Sequence, residues 1–99
     1  MSTKVDTIKN RIEPVLREYD VKKASVFGSF ATGEDSSESD IDVLIELGKN
    51  RGLFTMAKLQ RELENKLGRK IDLLTYNSVH PQLQDRIYKE MIQIYGQEG

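Results

Sequence analysis

The chain has 99 residues, which suits one compact domain over residues 1–99 with a single hydrophobic core. Apolar residues make up 37% and charged residues 31%, the balance of a globular chain with a solvated surface rather than a disordered one. With 15 basic against 16 acidic residues there is no global positive field, so direct nucleic-acid binding is not expected.

Cysteine is absent and His80 is the only histidine, so disulfides, thiolate catalysis and zinc sites built on Cys or several His are excluded. Any metal must then be held mainly by oxygen, which points to Mg²⁺, Mn²⁺ or Ca²⁺. The N-terminus lacks an apolar signal core, and no apolar run approaches the roughly 20 residues that span a bilayer. A cytoplasmic protein without a membrane partner is expected.

In chain order, Val5, Ile8, Ile12, Val15, Leu16 and Tyr19 recur at helical spacing. Thr3 or Asp6 is placed to cap that helix, and Pro14 is expected to kink or break it near Ile12–Glu13. Lys23 to Gly28 reads as a short buried strand ending at glycine. Ala31 to Ser39 is small and polar, a turn or loop. Asp40 to Glu46 is the clearest strand. Leu53 to Leu67 is a second amphipathic helix, with Leu53, Met56, Leu59, Leu63 and Leu67 on one stripe and Gly68 at its end.

Lys70 to Thr75 is a third strand. Asn77 or Ser78 is read as the cap of a third helix, with Pro81 in its first turn and Leu83, Ile87, Tyr88 and Met91 on its apolar face. Residues 92–95 extend that helix or form an edge strand; both remain open. This order predicts an α/β (α+β) fold, a small mixed β-sheet flanked by helices.

Asp40 and Asp42 flank Ile41 at a strand start. Side chains two apart share a face, with Cα atoms about 6–7 Å apart. The opposite face carries Ile41, Val43, Ile45 and Leu47, which anchor the strand. Two such carboxylates repel each other, and a divalent cation relieves that cost. A lone DxD pair more often marks a solvated strand end. Asp72 changes that balance, because strands disfavour Asp and this one opens a second apolar strand. If the two strands pair, three carboxylates converge, a set that suits two divalent ions about 3.5–4 Å apart. Gly28 and Ser29 end the first strand, where Gly lets the backbone approach a phosphate and the Ser hydroxyl adds a donor. An ordinary strand-to-turn boundary has the same two residues.

Taken together, Gly28-Ser29, ten residues, Asp40-Ile41-Asp42 and a later Asp resemble the nucleotidyltransferase superfamily that includes DNA polymerase β. The strings GSFATGEDSSESDIDVLIEL, LGRKIDLLT and HPQLQDRIYKE are similar to its minimal bacterial and archaeal members. The resemblance covers nearly the whole chain. It implies two Mg²⁺ ions bridged by Asp40 and Asp42, with Asp72 on the ion that activates the acceptor hydroxyl. It implies that Gly28 and Ser29 hold the β- and γ-phosphates of an NTP. Many minimal members resemble antitoxins that transfer AMP from ATP to a tyrosine of an HEPN-type toxin, and the match implies such a partner here. Thr32 departs from the string Gly-Ser-x-Ala-Arg-Gly, leaving Lys22, Lys23, Arg51 or Lys70 to supply the missing charge. Larger relatives add a helical domain, so a partner protein or a second copy is expected to complete the site. A non-catalytic antitoxin and transfer to a small molecule are the rival readings. His80 reads as a cap or surface residue rather than a catalyst, Tyr76, Tyr88 and Tyr95 as core or rim aromatics, with a place bordering the nucleotide site left open for Tyr76, and Lys58–Lys66 as a solvated helix face.

Overall fold

The computed structural model describes residues 3–32, 40–48 and 53–96, without the side chains of Thr3, Ser29, Thr32 and Leu53. The loop expected over 31–39 and the cation Arg51 fall largely or wholly outside the described residues. In chain order the elements are α1 (Thr3–Glu18), β1 (Val21–Phe27), α2 (Ser29–Thr32) and β2 (Ile41–Leu47). There follow α3 (Leu53–Leu67), β3 (Ile71–Thr75), a 3-10 turn (Tyr76–Ser78), α4 (Pro81–Glu90) and β4 (Ile92–Tyr95).

The four strands form one sheet in the order β3-β2-β1-β4. β1 pairs antiparallel with β2 and β4, whereas β2 and β3 run parallel. The sheet is therefore mixed, as expected. A parallel pair needs a crossover, and α3 supplies it between β2 and β3.

The alternation of β2 sorts the core into two faces. Ile41, Val43 and Ile45 point to the face covered by α1 and α3, where they meet Ile8, Ile12, Leu16, Leu59 and Leu63. Each buried aliphatic side chain there stabilises the fold by roughly 1.5–3 kcal/mol relative to exposure. The other face holds a smaller cluster of Phe27, Leu44 and Val79, with Leu74, Tyr76, Ile87 and Met91 packed on it.

Three local expectations need correction, and the open choice for residues 92–95 is decided. Pro14 lies inside α1, which runs unbroken to Glu18. Pro14 and Asn10 are both exposed, so the carbonyl four residues back that loses its donor faces water, and α1 buries Ile12 and Val15 regardless. The cap of α4 is His80, not Asn77 or Ser78; its Nδ1 accepts from the Gln82 N–H at 3.2 Å. Ser78 instead closes the 3-10 turn, accepting from the Thr75 N–H at 3.2 Å and donating to the Thr75 carbonyl at 2.9 Å. The tail is an edge strand, because Ile94 enters the main core while β4 pairs with β1. On α4, Ile87 and Met91 pack inward, but Leu83 and Tyr88 remain exposed. Among the described residues no helix is long and apolar enough to cross a membrane.

Candidate functional site

Asp42 and Asp72 come together because of strand register. In the parallel β2–β3 pair, Ile41 lies opposite Ile71 and Asp42 opposite Asp72. Residues opposite each other in a ladder present their side chains to the same face. Both isoleucines anchor in the core, and the two carboxyl groups emerge side by side on the other face.

Asp72 lies close enough to Asp42 to act on its ionisation. Burial first, and then the charges of Asp72 and Asp40, together push the Asp42 carboxyl up to about 6. Asp40 precedes β2, is exposed, and acts on Asp42 through its charge. Among the described residues, no three Asp, Glu, His or Cys groups are gathered in ligand geometry. The structure thus joins Asp42 to Asp72 and sets Asp40 at the strand entrance beside them.

Gly28 forms the third side. It follows β1, whose last residue, Phe27, lies opposite Asp42. Its φ is +70°, a left-handed conformation that side chains resist. A Cβ built there would fall on Asp42 Oδ2. Only glycine lets the backbone turn this close to the carboxylate. The Gly28 carbonyl accepts from the Ala31 N–H at 3.1 Å, which closes the turn into α2. Ser29 lies in that turn, with its side chain outside the described part.

The donors present are all hard oxygens, and the cost of ionising Asp42 beside two other carboxylates is the cost that a divalent cation offsets. On both counts, these residues fit a hard divalent ion.

Some cations proposed from sequence lie elsewhere. Lys22 and Lys23 line a cleft of about 930 Å³ with Lys9, Glu46 and Tyr95. Lys23 lies opposite Glu46, four positions along β2 from Asp42, or roughly 13 Å at strand spacing. Lys70 immediately precedes β3, and its carbonyl accepts from the Ile41 N–H at 3.0 Å. Arg69 is not among the cations offered in place of the missing arginine. Its guanidinium lies 5.8 Å from the ring centroid of Phe30, the residue after Ser29. The signal was available only as a basic residue three positions before Asp72.

Two other contacts escaped the sequence. Ser25 is fully buried, and its hydroxyl is 2.8 Å from the Tyr76 hydroxyl. Tyr76 borders the same sheet face, with Lys23 Nζ 4.6 Å above its ring. Gln60 and Glu64 sit on the stretch read as a solvated face, yet both are half-buried and hydrogen-bonded to the Ile71 backbone. Spacing of four along a helix cannot tell a partner across the sheet from one on the same helix.

A mixed sheet in the order β3-β2-β1-β4, flanked by helices, with a glycine turn at one strand end and paired aspartates on the next two strands, is the nucleotidyltransferase class of fold. The chain belongs to the polymerase β nucleotidyltransferase family, whose pattern it matches over residues 10–98. It is 46% identical over 90 residues to MJ0435 of Methanocaldococcus jannaschii, provisionally named a protein adenylyltransferase, covering 91% of this chain and 97% of that one. It superposes on a structure described as a minimal nucleotidyltransferase with a TM-score of 0.78 and 27% identity, covering 90% of this chain and 91% of that one. The fold also matches, with a TM-score of 0.71 and 20% identity over 94% of this chain and 73% of the other, an MNT antitoxin complex with a tri-AMPylated HEPN toxin of Shewanella oneidensis.

Proposed function

We propose that this chain is a Mg²⁺-dependent protein adenylyltransferase that acts as an antitoxin, moving AMP from ATP to a tyrosine hydroxyl of an HEPN-type toxin. The observation that carries the reading is the register that sets Asp42 against Asp72 beside Gly28. The adenylyltransferase name of a relative that matches nearly end to end supports the reaction class. The AMPylated toxin in a complex of the same fold supports the acceptor class.

In this reading Asp40 and Asp42 hold the ions, and Asp72 completes the set on the acceptor side. Bound Mg²⁺ would neutralise charge on the attacking and leaving oxygens. The Gly28–Ser29 turn holds the β- and γ-phosphates, the backbone coming close because Gly28 carries no Cβ. Asp72 takes the proton from the tyrosine hydroxyl as its oxygen forms a bond to the α-phosphorus. The bond from that phosphorus to the β-phosphate oxygen breaks, and pyrophosphate leaves. A cation beside Asp42 would offset the cost of ionising its carboxyl.

The test is incubation of the chain with labelled ATP, Mg²⁺ and an HEPN-type toxin. Label on a toxin tyrosine, lost in Asp42→Asn, supports the reading; no label at any Mg²⁺ concentration overturns it. Thr32 favours one second reading, neutralisation by contact alone. An Asp40→Asn/Asp42→Asn chain that still silences the toxin fully supports that alternative.

A further inference from the structure

We infer that Glu64 and Gln60 are positioning residues that hold Asp72 in place through the backbone of its neighbour, Ile71. The inference rests on the role proposed above for Asp72. β3 is an edge strand of the sheet. On its inner side, the Lys70 carbonyl accepts from the Ile41 N–H at 3.0 Å. Backbone groups alternate along a parallel strand, so both the N–H and C=O of Ile71 point away from β2. Such outward groups normally meet water, which leaves an edge loosely held.

Here α3 takes both of them. The Ile71 N–H donates to Glu64 Oε2 at 3.0 Å, and Gln60 Nε2 donates to the Ile71 carbonyl at 2.9 Å. Gln60 and Glu64 are four apart, on one face of α3, so a single helical turn grips one residue of the edge. Leu59 and Leu63 of the same turns are fully buried and fix the helix against the sheet. The Ile71 side chain is 1% exposed, so its backbone is gripped on one side and its side chain on another. The far end of β3 is held in the same manner, by the Ser78 hydroxyl on Thr75.

The consequence falls on the next residue. Asp72 points to the opposite face from Ile71 and lies against Asp42. A lateral shift or fraying at Ile71 moves the Asp72 carboxyl relative to Asp42. Displacements of an ångström at reacting groups can cost up to about 100-fold in rate. Gln60 and Glu64 touch neither substrate nor metal in this arrangement. They act through the strand.

The test compares Glu64→Ala, Gln60→Ala and Glu64→Gln with the wild-type chain and Asp72→Asn, using labelled ATP, Mg²⁺ and the toxin. Glu64→Ala should lower kcat roughly tenfold and raise the Mg²⁺ needed for half-maximal rate, with KM for the toxin unchanged. Glu64→Gln should restore most of the rate, because its amide oxygen still accepts from the Ile71 N–H. In the metal-free protein, the Ile71 amide should exchange with solvent faster in Glu64→Ala than in Glu64→Gln, as read by NMR. If Glu64→Ala does not fold, Gln60→Ala carries the same expectation for kcat and Mg²⁺. Wild-type kcat and Mg²⁺ requirement in the alanine variants, with Asp72→Asn inactive, overturns the inference and leaves the proposed function standing. Failure of Glu64→Gln to rescue also overturns it, since charge and not the backbone contact then matters. Full activity in Asp72→Asn overturns the functional reading, and this inference with it.

Discussion

Asp42 lies directly opposite Asp72 in the parallel ladder, so the two carboxyl groups emerge on one face of the sheet. Neither residue is next to the other in sequence; they meet because α3 returns the chain to β2 in the same direction and in the register that pairs Ile41 with Ile71. Like charges this close cannot both ionise without cost. Burial first, and then those charges, push the Asp42 carboxyl up from 3.8 to about 6.

This shift makes stability depend on pH. Folded Asp42 holds its proton more tightly than the unfolded chain does. Its favourable contribution is therefore complete below about 4 and is lost as pH rises through about 6. In metal-free protein at pH 8, Asp42→Asn should raise stability by roughly 1 kcal/mol after solvent screening of a partly exposed group. Denaturant titrations at pH 4 and pH 8 check the sign: the gain should appear at pH 8 and shrink at pH 4. Added Mg²⁺ should raise the melting temperature of the wild type and not of the variant.

Gly28→Ala should be harmful twice over. The residue adopts φ +70°, and a methyl group there meets Asp42 Oδ2. The backbone strain alone costs about 1–2 kcal/mol. Displacement of Asp42 should lower transfer of labelled AMP at least tenfold, by the sensitivity of such chemistry to placement. Urea denaturation and a transfer assay measure the two losses separately.

The Ser25–Tyr76 bond predicts an asymmetry. Tyr76→Phe leaves the fully buried Ser25 hydroxyl without its partner, which should cost about 1–3 kcal/mol. Ser25→Ala leaves only the half-buried Tyr76 hydroxyl, which lies nearer to water, and should cost less. A double-mutant cycle by thermal or urea unfolding should return a favourable coupling between the two residues.

His80 serves α4 and not the chemistry. Its Nδ1 caps the Gln82 N–H in an exposed position. His80→Ala should destabilise by about 0.5–1 kcal/mol, the ordinary loss of a helix cap. The rate of nucleotide transfer should be unchanged, so a fall in rate at full folding would count against a purely capping role for His80.

Much of the molecule was legible in local periodicity. The α3 boundaries at Leu53 and Leu67 were read directly from the leucine stripe and Gly68. The alternation after Asp40 sorted Ile41, Val43 and Ile45 to one face, where they are fully buried. Pro14 misled, because a single lost hydrogen bond on an exposed face is outweighed by the core that α1 covers. Residues 92–95 were undecidable locally, since a four-residue strand exists only through its partner, β1.

The sequence by itself determined that Asp42 emerges on the face opposite Ile41 and Val43, since a two-residue repeat is a property of the extended backbone alone. It also determined that a glycine and a serine follow the strand before them. Only the tertiary structure decided that β2 and β3 are parallel neighbours, that Asp72 comes level with Asp42, and that Gln60 and Glu64 reach the Ile71 backbone. Strand order and register are contacts between distant segments, set by which apolar faces fill one core together, and no local repeat encodes them.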